Sequence, residues 1–459
     1  MKATPATLPG GDEAERARQL RRAIIASTIG TTIEWYDFFL YSTASGLVFA
    51  RLFFPENDPL TGTLNAFGIY FVGFLARPVG AAIFGHYGDR VGRKATLIAT
   101  LILMGLGTFL VALVPGYEQI GIWGAIILSV LRFVQGVGVG GEWGGSVLMA
   151  MEWSKHGRRG FAASWPQFGV PAGLLLANLA VLLFSLISGP NFLVWGWRIP
   201  FLLSFLLVFV GLWIRLGILE TPGFARLVSE KRIEKQPVLE VIKRHPKEII
   251  LACLARVSEQ APFYIFTTFV FVYGTALGFA RDFLLVPVLV ASALGFFLIP
   301  FFGHLSDTLG RKPVYMAGAA LTAVWGFAYF GLLDTRVAAL AFIGIALSLV
   351  PHNMQYGPQA ALIAEGFPIR LRYSGSSIGY QLSSIIAGGP APLIATALYA
   401  SYKSGFAVAG YILVCSVITL IAVALMPERA RLDISEEERE LVTTASATPL
   451  RSASETTGS

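Results

Sequence analysis

Gly85-His86-Tyr87-Gly88-Asp89-Arg90-Val91-Gly92-Arg93-Lys94 returns 218 residues later as Gly303-His304-Leu305-Ser306-Asp307-Thr308-Leu309-Gly310-Arg311-Lys312. Six positions agree: glycine, histidine, aspartate, glycine, arginine and lysine. A second pair supports a duplication, since Glu152 precedes Arg159 by seven residues and Glu365 precedes Arg372 by the same seven. The chain around these copies is too apolar for water. Of its 459 residues 55% are hydrophobic and only 14% charged, where an ordinary globular domain carries about a quarter. Mean hydropathy is +0.65. Soluble, disordered and disulfide-scaffold classes are excluded.

A membrane span needs about 20 mostly apolar residues. Candidates lie near 23–50, 62–86, 95–114, 120–150, 161–188, 195–219, 248–275, 284–304, 313–331, 336–360, 373–398 and 404–426. The expected fold is all-α and integral to a membrane: twelve transmembrane helices in two pseudo-symmetric six-helix bundles, 23–219 and 248–426, related by an axis along the membrane normal. Residues 1–22 form a polar N-terminal segment without the apolar core of a cleavable signal. Residues 220–247 form a basic linker, and the Ser/Thr-rich 427–459 is expected to be a disordered tail. Cys253 and Cys415 sit in apolar stretches and read as packing residues.

Lysine and arginine set the orientation. With the N-terminus in the cytoplasm, 26 of the 35 fall in the tails and even-to-odd loops. Arg51, Arg198, Arg281, Arg336 and Lys403 fall on the other side; Arg77, Arg132, Arg215 and Arg256 lie within spans. This bias places both termini in the cytoplasm and the protein in the cytoplasmic membrane. The net charge of +7 is thus a topology signal, and no nucleic-acid partner is expected.

The repeated loops suit a gate. Glycines such as Gly85, Gly92 and Gly310 allow tight turns and close helix approach. The acids Asp89, Glu152, Asp307 and Glu365 and the bases Arg90, Arg93, Arg159, Arg311 and Arg372 can pair across helix ends and hold one conformation closed.

The loop after span 2 resembles the signature of the major facilitator superfamily, with the weaker second copy that this family shows. The resemblance covers 23–426 and implies the major facilitator fold, two bundles rocking about a central cavity. Glu34-Trp35-Tyr36-Asp37-Phe38, Arg77-Pro78, Arg132 through Glu142 with Trp143-Gly144-Gly145, Trp195-Gly196-Trp197-Arg198-Ile199-Pro200 and Arg372-Tyr373-Ser374-Gly375 resemble the metabolite:proton symporter family, most of all its shikimate permease branch. Glu220-Thr221-Pro222 resembles a superfamily feature that braces the cytoplasmic charges.

Ionisable side chains at membrane depth are expensive and mark function. Span 1 holds Glu34 and Asp37 on one helical face, span 2 Arg77, span 4 Arg132 and Glu142, and span 7 Arg256 and Glu259. Glu34 and Arg77 have similar depths and are expected partners. Arg215, near a span end, is expected to snorkel and is set aside. Arg77 has no twin, since Gly295 stands 218 residues later; this asymmetry assigns coupling to the first half. The expected proton-coupling set is Asp37, Glu34, Arg77, Arg132 and Glu142. Asp37 is the favoured carrier, protonated while its basic partner is engaged elsewhere. Arg132 or Arg256 would take an anionic substrate by charge-assisted hydrogen bonds, with Glu259, Gln167, Tyr264, Thr267, Asn353, Gln355, Tyr356, Gln359, Tyr380 and Gln381 as further cavity candidates. The glycine run from Gly136 to Gly145 is expected to seat a neighbouring helix.

The expected function is a secondary active transporter: proton-coupled symport of a small organic acid, shikimate-like or a di- or tricarboxylate, by alternating access. The alternatives are a proton-independent facilitator or exchanger and a symporter of zwitterions of the proline/betaine type. No phosphate loop, zinc-type histidine pair or nucleophile elbow supports an enzyme. No cofactor or metal is expected beyond the proton gradient; the partners are substrate, protons and lipid, and the carrier is expected to be monomeric. Deleting 427–459 is expected to leave transport intact, which separates a transporter from a sensor that signals through its tail.

Overall fold

The computed structural model of the chain describes residues 13–44, 48–56, 59–155 and 157–432, where the regular structure is helical. Residues 1–12 of the N-terminal segment, and the expected tail from 433 onward, lie outside the described residues. Eleven helices are long and apolar enough to cross a membrane: α2 (Gly68–Arg90), α3 (Arg93–Val111), α4 (Trp123–Trp153), α5 (Arg159–Gly196), α6 (Arg198–Leu216), α7 (Pro246–Ala276), α8 (Phe283–Leu309), α9 (Arg311–Asp334), α10 (Ala338–Ala364), α11 (Ile369–Tyr402) and α12 (Gly405–Leu425). They match the spans read from the sequence. The remaining span is α1 (Glu13–Ala44), whose 32 residues extend about 48 Å. Glu34, Asp37 and a run of serine and threonine lower its hydropathy. It is tolerated because α4, α5 and α6 pack around it, so its polar face meets protein rather than lipid.

Outward-facing residues such as Leu186, Trp213, Phe297, Val324 and Leu393 are exposed, a surface suited to lipid. The halves α1–α6 and α7–α12 meet where α2 and α4 face α11 and where α5 faces α8 and α10. We call the end bearing the repeated loops the loop end. The 220–247 linker crosses it as two short helices, Pro222–Ser229 and Pro237–Arg244. The Thr221 hydroxyl caps the first, accepting from the Phe224 amide at 3.3 Å.

Several helices are irregular, and two carry π-turns where the interior is polar. The α-helical course of α7 breaks at Arg256, carries Pro262 and then forms a π-turn over Ile265–Phe269; α11 forms one over Ser384–Gly388. Irregular backbone at membrane depth persists only where protein surrounds it.

The glycine run of α4 serves two neighbours. A Cβ on Gly140 would lie 2.0 Å from the Arg77 carbonyl oxygen, and one on Gly136 2.3 Å from that of Gly73, so α2 and α4 are in backbone contact. Further along, Gly144 and Gly145 leave room for Ser377 and Tyr373 of α11. Gly140→Leu is therefore expected to push α2 away and cost at least about 2 kcal/mol, read as a lowered thermal midpoint of the detergent-purified protein.

Candidate functional site

At the loop end each repeated aspartate reaches into the opposite half. Asp89, at the end of α2, accepts hydrogen bonds from the backbone amides of Tyr373 and Ser374 at 3.3 and 2.9 Å and from the Ser374 hydroxyl at 2.8 Å. Asp307, at the end of α8, accepts from the amides of Gly160 and Phe161 at 2.8 and 2.9 Å. Each carboxylate thus sits on the N-terminus of a helix of the other bundle, where free amides and the helix dipole favour an anion. Behind it stands an arginine: Arg93 lies 3.3 Å from Asp89 and 3.7 Å from Glu152. Arg311 lies 2.7 Å from Asp307 and 3.2 Å from Glu365. Arg159 adds a contact between halves, 3.9 Å from Glu365, and the Arg372 Nε donates to the Phe367 carbonyl at 2.9 Å. Gly92 and Gly310 adopt φ of +121° and +106°, which glycine allows without strain. Gly85 lets Ser374 come close, its Cβ position lying 2.8 Å from the Ser374 Cα.

Arg90 is a correction. It is exposed and its Nη1 lies 3.1 Å from His86 Nε2, on the solvent side of the helix and away from the network. Glu220 braces the network by capping α3, accepting from the amides of Arg93 and Lys94, each at 3.1 Å. The second half has the same device in a residue that the sequence reading passed over. Glu428 accepts from the Lys312 amide at 2.8 Å, and Arg429 Nη1 donates to the Glu365 carbonyl at 3.1 Å. The repeat of Lys94 as Lys312 was the available signal for that acid. Residues 427–432 therefore begin by packing on the loop-end network, through Glu428 and Arg429, rather than as a free tail.

Deeper in, the expected charges separate into two groups. Arg215 does not snorkel. It is buried and ion-paired with Glu142, whose carboxylate also takes the hydroxyls of Thr100 at 2.8 Å and Ser146 at 2.9 Å. Its Nη1 also donates to the Leu97 carbonyl of α3, so the arginine ends among helices instead of at their edge. In the second half Glu259 is likewise occupied. It lies 3.2 Å from Arg256, 3.2 Å from His352 Nε2 and 3.1 Å from the Gln359 amide that donates to it. Arg256 also donates to the Tyr380 carbonyl and lies over the Tyr380 ring.

Glu34, Asp37, Arg77 and Arg132 make no ion pair among the described residues. The expected Glu34–Arg77 bridge is absent: Glu34 Oε2 has no partner, and the Arg77 guanidinium sits 4.7 Å from the ring centres of both Phe38 and Phe74. Arg132 is held against Tyr41 at 4.4 Å and Tyr70 at 4.8 Å, and cation–π contact competes with ion pairing in a dry site. Asp37 accepts from the hydroxyls of Ser204 and Thr108, both at 2.8 Å. A relay joins the two: Arg132 Nη1 to Gln135 at 3.5 Å, and Gln135 to the Thr108 hydroxyl at 2.7 Å. Ser204, Thr108 and Gln135 were missed because hydroxyls and amides in apolar helices ordinarily bond their own backbone.

The remaining candidates gather between the halves. Gln167 accepts from the Trp143 indole at 2.8 Å and donates to the Tyr356 carbonyl at 3.3 Å, and Trp143 stacks on Tyr380 at 3.6 Å. Gln381 donates to the Val139 carbonyl at 3.5 Å, whereas the Gln355 amide turns to Thr322 at 2.9 Å. Tyr264 is buried with its hydroxyl unpartnered, as is the Asn353 amide nitrogen. Thr267 bonds the Phe263 carbonyl of its own helix at 2.7 Å and adds nothing to the site.

Asp89→Asn and Asp307→Asn are each expected to weaken a helix-end contact by about 1–2 kcal/mol. Spin-label distances across the loop end should then show roughly tenfold more of the open form. A chain ending at Met426 should lose thermal stability that a chain ending at Leu432 keeps, because only the latter retains Glu428 and Arg429.

Residues 27–390 match the family model of the Major Facilitator Superfamily. The chain is 38% identical over 436 residues to an inner membrane metabolite transport protein, YhjE, of Escherichia coli, covering 93% of this chain and 99% of that one. It is 39% identical over 420 residues to the shikimate transporter of the same organism (90% and 95%), and 33% identical over 424 residues to its proline/betaine transporter (90% and 84%). Among solved structures it superposes with a TM-score of 0.76 on the proton:xylose symporter XylE, at 16% identity and covering 93% of this chain and 100% of that one. With its span-length helices, its duplicated halves and this match, the chain belongs to the major facilitator superfamily and is a multi-pass membrane transporter, not an enzyme.

Proposed function

We propose that the protein is a proton-coupled symporter of a small organic acid in the cytoplasmic membrane, with both termini cytoplasmic. The orientation rests on the concentration of lysine and arginine at the loop end. One observation carries the coupling: Asp37 and Arg132 are both buried, opposite in charge, and joined, among the described residues, through Gln135 and Thr108. Arg132 is a cation ready for a carboxylate, and Asp37 an acid ready for a proton. A monoanion and one proton together add no net charge to the interior, so the loaded carrier can rock without moving an uncompensated charge through a low-dielectric core.

An anion seated at Arg132 draws the guanidinium from the ring faces and loosens the Gln135–Thr108 relay, which links cargo to the state of Asp37. The Asp89 and Asp307 contacts close the loop end while loading proceeds from the other side. The match to a shikimate transporter supports a hydroxylated carboxylic acid as cargo. The match to proline/betaine transporters supports a zwitterion as the second reading.

The test is uptake into proteoliposomes under an imposed pH gradient, with shikimate, 2-oxoglutarate, citrate, proline and glycine betaine, each with and without a protonophore. Carboxylate accumulation that collapses with protonophore is expected. Asp37→Asn should abolish accumulation and spare exchange, and Arg132→Gln should raise KM at least roughly tenfold, the cost of one charge-assisted contact. Concentrative uptake by Asp37→Asn would overturn this assignment.

A further inference from the structure

The Glu259 cluster holds a histidine that the coupling scheme above does not use. His352, on α10, is buried, and both of its ring nitrogens face acceptor oxygens: Nε2 lies 3.2 Å from Glu259 Oε1 and Nδ1 3.2 Å from Asn353 Oδ1. A neutral imidazole has one N–H and can satisfy only one of these contacts; the imidazolium satisfies both. The alternative is to rotate the Asn353 amide by half a turn, so that Nδ2 donates to an unprotonated Nδ1. In the arrangement observed, Nδ2 is the group left buried without a partner. His352 and Asn353 line a crevice between the halves, together with Phe263, Gly295, Tyr356 and Pro171.

We infer that His352 is a second proton-binding residue, and that Asn353 converts its protonation state into cargo affinity. With His352 protonated, Asn353 Oδ1 is drawn to the ring and the Nδ2 donor is offered to the crevice. With His352 neutral, the amide turns and offers an acceptor, which repels a carboxylate or hydroxyl oxygen. The charged groups around the ring fit this role. Glu259 comes from α7, paired there with Arg256, and Tyr356 from α10 stacks at 5.1 Å. Tyr315 of α9 reaches the cluster through Gln359, Tyr380 of α11 covers Arg256, and Tyr264 of α7 adds an unpartnered hydroxyl. Protonation of His352 puts one carboxylate between two cations, a surplus of one positive charge that an anionic cargo neutralises. The inference rests on the reading that the cargo is an organic anion moved with protons, and it adds a site in the second half where that reading placed coupling in the first.

The test follows the imidazole itself. The full chain is labelled with ¹⁵N-histidine and reconstituted in phosphatidylethanolamine–phosphatidylglycerol vesicles, and the His352 signal is assigned by its loss in His352→Gln. Spectra are recorded from about pH 5 to 8, the range in which imidazoles ordinarily change charge, so that the neutral and charged forms of the ring are told apart. Saturating shikimate should raise the midpoint by about half a unit, the reciprocal of a roughly threefold affinity difference between the two forms. Asn353→Ala should remove that shift, and His352→Gln should flatten the pH dependence of KM for shikimate uptake. A ring that stays in one form across that range, or a His352→Gln protein with an unchanged pH profile, overturns the inference. Failure of the symport reading shows elsewhere, in wild-type accumulation that ignores the protonophore.

Discussion

Charge enclosed among apolar helices must be neutralised, and the structure turns on how it does so. Four acids and four arginines lie buried at depth. Two pairs close on themselves, Glu142 with Arg215 and Glu259 with Arg256. The other four, Glu34, Asp37, Arg77 and Arg132, are shared out among aromatic faces, hydroxyls and amides. A closed pair is costly to open, since breaking it would strand a charge at a cost of several kcal/mol; the first also ties α4 to α6, whereas the second lies within α7. An open set can change partners cheaply, and here it lies wholly in the first half, on α1, α2 and α4.

The loop end shows how duplication survives divergence. Both halves use an aspartate on the opposite bundle's helix N-terminus, with an arginine and a glutamate behind it. The volumes are exchanged: Tyr373 packs over Gly88 on one side, whereas Gly160 leaves room for Ser306 and Arg311 on the other. Bulk removed from one partner reappears in the other, so each interface stays filled while the polar contacts remain equivalent. The capping acids Glu220 and Glu428 follow the same two-fold logic and tie the linker and the start of the tail to the loop-end network.

Much of this was legible in the linear chain because it depends on local or periodic properties. Span length and apolarity follow from bilayer thickness, the basic bias from translocation, and the loop-end charges from two repeated spacings that need no coordinates to see. What failed were statements about partners. Arg90 and Arg93 are alike in type and three residues apart, yet only Arg93 turns inward. Glu34 and Arg77 share a depth and do not meet. Arg215 lies near a helix end but is enclosed.

The sequence by itself determined the architecture, the duplication, the orientation signal and the list of buried charges, since composition and spacing decide what a bilayer accepts. Only the tertiary structure decided which charges pair, which rest on aromatic rings, and that His352 stands between Glu259 and Asn353. Those outcomes depend on helix rotation and on approaches of a few ångströms between residues up to about two hundred positions apart, and no spacing along one chain encodes them.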